Sequence, residues 1–271
     1  MTLLPPSFLD NVVTIGEKSL DGKTKWIATG FLYGHLIKTQ DDSTLYIIFL
    51  VTNKHVYLNK NQIVVRLNNK GLKDSKEFTI ELINEKGKSI VLTHNEPDVD
   101  CALIHLLAPK LDELGINISA FLNDKNTANI SMMNESGLSE GDSIFVLGYP
   151  LGIVDPTRNL ALVRGGIISR IRDLYSGDTK VFIIDSSIFP GNSGGPVLIK
   201  PEATSIYGTK PHNQSKLIGL VSSYIPYKDI AVSNQTGQPL LVLQENSGLA
   251  TVVPVDYIEQ IIDKYVKESS L

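Results

Sequence analysis

The run Gly191-Asn192-Ser193-Gly194-Gly195-Pro196 constrains this chain more than any other stretch. An ordinary turn between strands draws on Gly, Asn, Ser and Pro, but it does not need all six in this order. The glycine two residues before Ser193 allows a backbone turn sharp enough for the amides of Gly191 and Ser193 to face one point. The two glycines after Ser193 leave room for another chain to approach. Pro196 stiffens the exit, and Val197-Leu198-Ile199 continues as a buried strand. Ser193 is therefore a candidate nucleophile. A serine hydroxyl is a weak nucleophile at neutral pH, so it needs a base within reach and a group that orients the base.

Both are available upstream. The apolar run Leu45 to Val51 reads as a buried strand and passes directly into Thr52-Asn53-Lys54-His55-Val56, which sets one imidazole at a strand end. Taken alone, His55 reads as a half-exposed turn histidine; ahead of the serine run it is the candidate base. In Pro97-Asp98-Val99-Asp100-Cys101-Ala102-Leu103-Ile104, a carboxylate stands immediately before another buried strand. Asp100 is the candidate orienting group. Asp98, on the same side of an extended chain, competes with it, and an aspartate bonding its own turn is the ordinary alternative for either. Cys101 reads as a core residue.

In the order His, Asp, Ser, these segments resemble the chymotrypsin-like (trypsin-fold) serine proteases. Ala102-Leu103 follows Asp100 at that family's spacing. The asparagine before Ser193 resembles the bacterial branch, which includes HtrA-type and glutamyl-endopeptidase-type enzymes. Leu147-Gly-Tyr-Pro-Leu-Gly152 and Gly166-Ile-Ile-Ser169 match segments of the HtrA-type enzymes in the same order. The resemblance covers about residues 10 to 268. It implies an all-β fold of two six-stranded antiparallel barrels with a C-terminal α-helix. The whole chain, residues 1–271, would be one peptidase domain. Its first barrel, residues 10–120, would carry His55 and Asp100; its second, 140–253, would carry Ser193; the helix, 254–268, would dock on the second barrel. The site would lie between the barrels, with the Gly191 and Ser193 amides as the oxyanion hole.

By the same resemblance, Ser187 stands at the floor of the primary specificity pocket and Ile188 on its wall. Ser222, Ser223 and Tyr224 lie on the strand beside the substrate. Ser187 is uncharged, which disfavours cleavage after Lys or Arg. Val221 stands where glutamate-specific relatives carry a histidine. The expected preference is a small or medium apolar side chain before the cut. Asn192 replaces the aspartate that, in vertebrate relatives, pairs with a freed N-terminus. No activation by trimming is therefore expected, nor a residue 1 threaded into the core. No PDZ-like segment is expected after the helix, which would depart from the HtrA-type pattern and its oligomer regulation.

Composition narrows the rest. Of 271 residues, 42% are hydrophobic and 20% charged, as in ordinary globular proteins. The net charge of −4, without a basic stripe, argues against nucleic acid as a partner. One cysteine excludes an internal disulfide and suits a reducing compartment or a bacterial origin. Met1 to Asp10 does not read as a signal peptide, and no apolar run is long enough to span a membrane. The expectation is a cytoplasmic protein. His35, His94, His105 and His212 show no metal-ligand spacing, so neither a metal nor a cofactor is expected.

Short strand-like runs recur along the chain: Val12–Ile15, Trp26–Tyr33, Ile63–Leu67, Glu77–Ile83, Ser89–His94, Leu160–Ile171, Val181–Asp185 and Leu249–Val253. Turn signals separate them, as in barrels and sandwiches. Residues 108–139 read as the crossover, with a helical turn near Lys110 to Leu114. Two long loops are expected at 201–216 and 225–248, with Leu240 to Leu243 able to pair as a strand. After Pro254, Asp256 reads as a helix cap with Glu259 as its capping-box partner, and Ile258, Ile261, Ile262 and Tyr265 form one apolar face. The leading expectation is a cofactor-free serine endopeptidase acting on polypeptides. The alternatives are a catalytically silent binding module, or a protease switched by an activating or inhibiting protein partner through the long loops.

Overall fold

A computed structural model describes residues 2–40, 43–202, 210–233 and 235–269. A short helix α1 (Pro6–Asp10) leads into the strands of the first half. These are β1 (Val12–Lys18), β2 (Thr24–Gln40), β3 (Ser43–Thr52), β4 (Gln62–Asn68), β5 (Ser75–Glu81), β6 (Leu92–Thr93) and β7 (Ala102–Leu106). Helix α2 (Lys54–Tyr57) follows β3, and α3 (Ala108–Glu113) follows β7, where the crossover turn is expected. The sheet order is β5-β4-β1-β2-β3-β7-β6, and the two-residue strand β8 (Phe121–Leu122) pairs in parallel with β2. The two ends of this sheet meet through the hairpin between β5 and β6, where Ile83 bridges Ser89 and the Ile90 amide donates to the Leu82 carbonyl at 2.9 Å. Alternate residues of the strands, among them Ile15, Leu32, Leu50, Ile63, Val65 and Ile104, point inward and form one buried core.

Helix α4 (Ile130–Ser136) opens the second half; the Asn129 side chain caps it by accepting from the Met132 amide at 2.9 Å. The strands are β9 (Ser143–Gly148), β10 (Leu162–Arg170), β11 (Phe182–Ser186), β12 (Pro196–Ile199), β13 (Leu217–Val232) and β14 (Pro239–Pro254). Helix α5 (Arg172–Tyr175) joins β10 to β11. The six strands close in the order β10-β11-β14-β13-β12-β9 around a second core that includes Val146, Ile168, Phe182, Ile184, Val197 and Val252. Each half thus buries one face of its strands, which is what the alternating pattern of short runs requires.

The stretch 225–248, expected as a loop, is instead a β-ribbon. Strands β13 and β14 continue out of the barrel together, paired from Pro226–Asn246 to Val232–Pro239. Residues 227–232 and 239–247 are all exposed, including Ile230, Leu240, Leu241, Val242 and Leu243. Pro226 and Pro239 stand at the ends of the ribbon pairing and leave its interior uninterrupted. Of the other long stretch, 201–216, residues 203–209 lie outside the described residues, as does residue 1.

A third apolar core joins the halves. Phe31, Tyr33, Phe49, Val51, Leu103 and Phe121 from the first meet Leu147, Tyr149, Leu198, Leu220 and Val253 from the second. Phe121 stacks edge-on against Phe8 at 5.0 Å and Phe31 at 5.7 Å. Helix α6 (Val255–Ser269) seals this core with the expected apolar face, burying Ile258, Ile261 and Ile262. It packs on β6 and β7 as well as on β13 and β14, so it wedges between the halves and does not dock on the second alone.

The expected capping box is absent from α6. Asp256 Oδ2 accepts from the Ile130 amide at 2.9 Å, at the start of α4. Glu259 faces the first half, accepting from Tyr33 Oη at 2.5 Å and pairing with His35 Nδ1 at 2.9 Å. The hydrogen bond to Glu259 pushes the His35 imidazole above its ordinary value against the opposing effect of burial, and the Glu259 and Asp263 charges add to it. Burial pushes Glu259 up, but the bonds from His35, Tyr33 and Asn123 outweigh it and hold the carboxyl low. A raised histidine stabilises below its unfolded value of about 6.5 and loses that contribution as pH rises through the folded value; a depressed glutamate stabilises above about 4.3 and loses it as pH falls. The latch is thus strongest between these limits. The melting temperature should fall as pH is raised from 6 to 9, and less steeply in His35→Gln. Equal slopes in the two proteins would show that the latch does not set this dependence.

Candidate active site

The strand that carries His55 ends where its interior packing does. β3 is buried through Leu50, Val51 and Thr52, and the chain turns into α2 at Asn53. Asn53 is fully buried and donates through Nδ2 to the Asp100 carbonyl at 2.8 Å, tying this turn to the entry of β7. Asp100 then holds the histidine twice. Its Oδ2 lies 2.8 Å from His55 Nδ1, and its Oδ1 accepts from the His55 backbone amide at 3.1 Å. The bond to Nδ1 leaves Nε2 as the ring nitrogen free to accept a proton. Asp98, the competitor, is directed elsewhere: it pairs with Lys180 at 3.0 Å, and Glu96 pairs with the same ammonium.

Ser222 lies on β13, the strand on which the resemblance sets it, and it has a partner there in the first half. It is buried, and its hydroxyl donates to Asp100 Oδ2 at 2.8 Å. Burial pushes the Asp100 carboxyl up, but the His55 ring bond and charge, the Ser222 hydroxyl and the His55 amide outweigh it and hold the group below its ordinary value. Asp100 therefore stays an acceptor-only carboxylate through the neutral range. Sequence reasoning put Ser222 on the substrate strand; its position there is what lets the hydroxyl reach across to the first half.

The Ser193 turn is stitched to the same two elements. The Gly194 amide donates to the Val221 carbonyl at 2.9 Å, and the Val221 amide to the Gly195 carbonyl at 2.9 Å, one residue from Ser222. On the other side, the Thr29 amide of β2 donates to the Ser193 carbonyl at 3.0 Å. Gly194 has φ +80°, and a Cβ there would stand 2.1 Å from Thr52 Oγ1 and 2.3 Å from the Thr29 carbonyl. Only glycine brings the serine turn so close to the end of β3, three residues before His55. Among the described residues the Ser193 hydroxyl has no hydrogen-bond partner, and such bonds commonly form only with substrate in place.

The amides of the turn divide in two. Those of Asn192, Gly194 and Gly195 donate to Phe189, Val221 and Asn192 at 3.0, 2.9 and 2.8 Å. Among the described residues, those of Gly191 and Ser193 have no acceptor, which leaves them free to bind an oxyanion. The remaining expected residues are dispersed. Ser187 is exposed and Ile188 is packed in the second core at 2% exposure. Ser223 Oγ lies 3.1 Å from Thr251 Oγ1, and Tyr224 Oη accepts from Gln244 Nε2 at 3.2 Å. Cys101 is wholly buried beside the site, and burial raises its thiol far above the range in which it ionises.

Two β-barrel halves, with His55, Asp100 and the glycine-flanked Ser193 on elements tied to one another between them, define the class of the trypsin-fold proteins. A family model described as the trypsin-like peptidase domain matches residues 28–202, and the chain belongs to that family. Among solved structures, the protease domain of MamO from Magnetospirillum magneticum, in its apo form, aligns over 94% of this chain and 97% of its own. The identity is 15% and the TM-score 0.48. No curated protein sequence matches the chain. Among the described residues, no helix is long and apolar enough to cross a membrane.

Proposed function

We propose that the chain is a serine endopeptidase that cleaves polypeptides through an acyl-enzyme intermediate. Ser193 Oγ attacks the scissile carbonyl while His55 Nε2 takes its proton. The carbonyl oxygen becomes an oxyanion held by the Gly191 and Ser193 amides. His55 then gives the proton to the departing amine, which leaves an ester on Ser193, and water repeats the sequence to release the acid. Asp100 fixes the imidazole and stabilises its protonated form without taking the proton. The reading is carried by the doubly held His55 beside a turn whose two unpaired amides are those of Gly191 and Ser193.

The preferred residue before the cut is small or medium and apolar, a reading supported by the uncharged Ser187. A peptide library cut chiefly after Lys, Arg, Asp or Glu would refute this preference. The reaction itself is tested by incubating purified protein with a fluorophosphonate and mapping the adduct by mass spectrometry. Modification at Ser193 is the expected result. The unpartnered Ser193 hydroxyl also suits a catalytically silent module, which would remain unlabelled.

A further inference from the structure

Thr29 lies in the middle of β2, is wholly buried, and belongs to none of the motifs that mark the site. Its polar atoms nevertheless reach both residues of the candidate oxyanion hole. Its amide donates to the Ser193 carbonyl at 3.0 Å, and its hydroxyl donates to the Gly191 carbonyl at 2.6 Å. The same hydroxyl accepts from the Tyr149 amide at 3.0 Å. The Thr29 carbonyl accepts from Thr52 Oγ1 at 2.7 Å, three residues before His55.

The peptide planes give this arrangement its consequence. In a trans peptide the C=O and N–H point in opposite directions. The Pro190 carbonyl accepts from the Leu151 amide at 2.6 Å, so the Gly191 N–H points away from Leu151. The Asn192 carbonyl accepts from the Gly195 amide at 2.8 Å, so the Ser193 N–H points away from Gly195. Each of these planes is followed by one that Thr29 holds, the Gly191–Asn192 plane through the Gly191 carbonyl and the Ser193–Gly194 plane through the Ser193 carbonyl, so Thr29 fixes the Cα atoms from which the two N–H groups are presented. The clamp is completed by the Pro150–Gly152 turn, in which Leu151 adopts a left-handed φ of +57° that places its amide against Pro190.

We propose that Thr29 is a positioning residue for the oxyanion hole: it locks the Gly191 and Ser193 carbonyls so that the two amides stay presented to the reacting carbonyl. The inference rests on the endopeptidase reading above. Thr29→Val keeps the shape, removes the hydroxyl and leaves the Gly191 carbonyl and Tyr149 amide unpaired; Thr29→Ser keeps the hydroxyl.

With a chromogenic peptide ester, Thr29→Val should lower kcat about a hundredfold, as loss of one oxyanion donor does. KM and the pH midpoint of kcat/KM, which reports the histidine, should hardly move. Thr29→Ser should recover kcat to within about fivefold of wild type. Hydrogen exchange over residues 189–195 gives a reading that needs no turnover: the Asn192 and Gly195 amides should exchange at least about tenfold faster in Thr29→Val than in Thr29→Ser. Wild-type kcat in Thr29→Val, an equal loss in Thr29→Ser, or a loss confined to KM would overturn the proposal. If wild type is neither labelled nor active, the endopeptidase reading fails, and the exchange measurement alone decides whether Thr29 holds the turn.

Discussion

Replacing Ser193 by alanine is expected to remove about a millionfold of kcat, and replacing Asp100 by asparagine about 10⁴-fold. The two losses have different causes. Without the Ser193 oxygen there is no acyl-enzyme, and only the amides and substrate binding remain. In Asp100→Asn the proposed nucleophile and base are present but the ring is misdirected. Asp100 Oδ2 takes both the His55 Nδ1 proton and the Ser222 hydroxyl proton, while Oδ1 takes the His55 amide. An asparagine can accept at only one of these atoms. With its amide nitrogen toward the ring, it donates to Nδ1, forces the proton to Nε2 and removes the base. With its oxygen toward the ring, its nitrogen opposes the His55 backbone N–H. KM should change little in either variant, since neither group is needed to seat the substrate. A loss of less than about tenfold in Asp100→Asn would mean that His55 is not the base or is oriented by another group. Because the folded Asp100 is depressed, the stability it contributes is present above about pH 3.9 and disappears below it, so acid should loosen the wild-type site more than the Asp100→Asn site.

What could be read from the sequence follows from how local each requirement is. The serine turn demands six consecutive residue types, so it announces itself. His55 and Asp100 each end or begin a buried strand, and the resemblance orders them. A strand-rich barrel or sandwich and the apolar face of α6 follow from short-range patterning, while the pair of barrels is what the resemblance implies. Thr29 was not legible because a threonine in Ala28-Thr29-Gly30 looks like any strand residue; its partners stand at Gly191 and Ser193. Glu259 was misread for the same reason. Its spacing from Asp256 suits a capping box, but its carboxylate is taken by His35 on β2. Ser222 stands on β13, but its bond to Asp100 spans 122 residues and leaves no local signal. The ribbon beyond Tyr224 hid behind a turn-rich composition, since the exposed pairing of β13 with β14 leaves no one-sided alternation to detect.

Gly191→Ala should disable the site through backbone alone. Gly191 has φ +99°, where an L side chain is strained, and a Cβ there would lie 2.3 Å from the Tyr149 carbonyl and 3.1 Å from the Leu151 amide. Neither neighbour can swing aside as a side chain would. Tyr149 is wholly buried and its hydroxyl donates to the Val12 carbonyl at 3.2 Å, while the Leu151 amide is the group that orients the peptide before Gly191. Relief can come only by pushing the 149–152 segment away or by turning the peptide over. Either movement breaks the bond from Leu151 to Pro190 and withdraws the Gly191 amide from the oxyanion. The strain should cost about 1–3 kcal/mol of stability, and loss of one donor should lower kcat by about 10²–10³. Gly165→Ala is the control, because a Cβ at Gly165 meets nothing within 4 Å. It should stay within about 0.5 kcal/mol of wild type. If Gly191→Ala matched that control in both melting temperature and kcat, the turn would not be held by its contact with Tyr149 and Leu151, and its amides could not be the fixed donors that the chemistry requires.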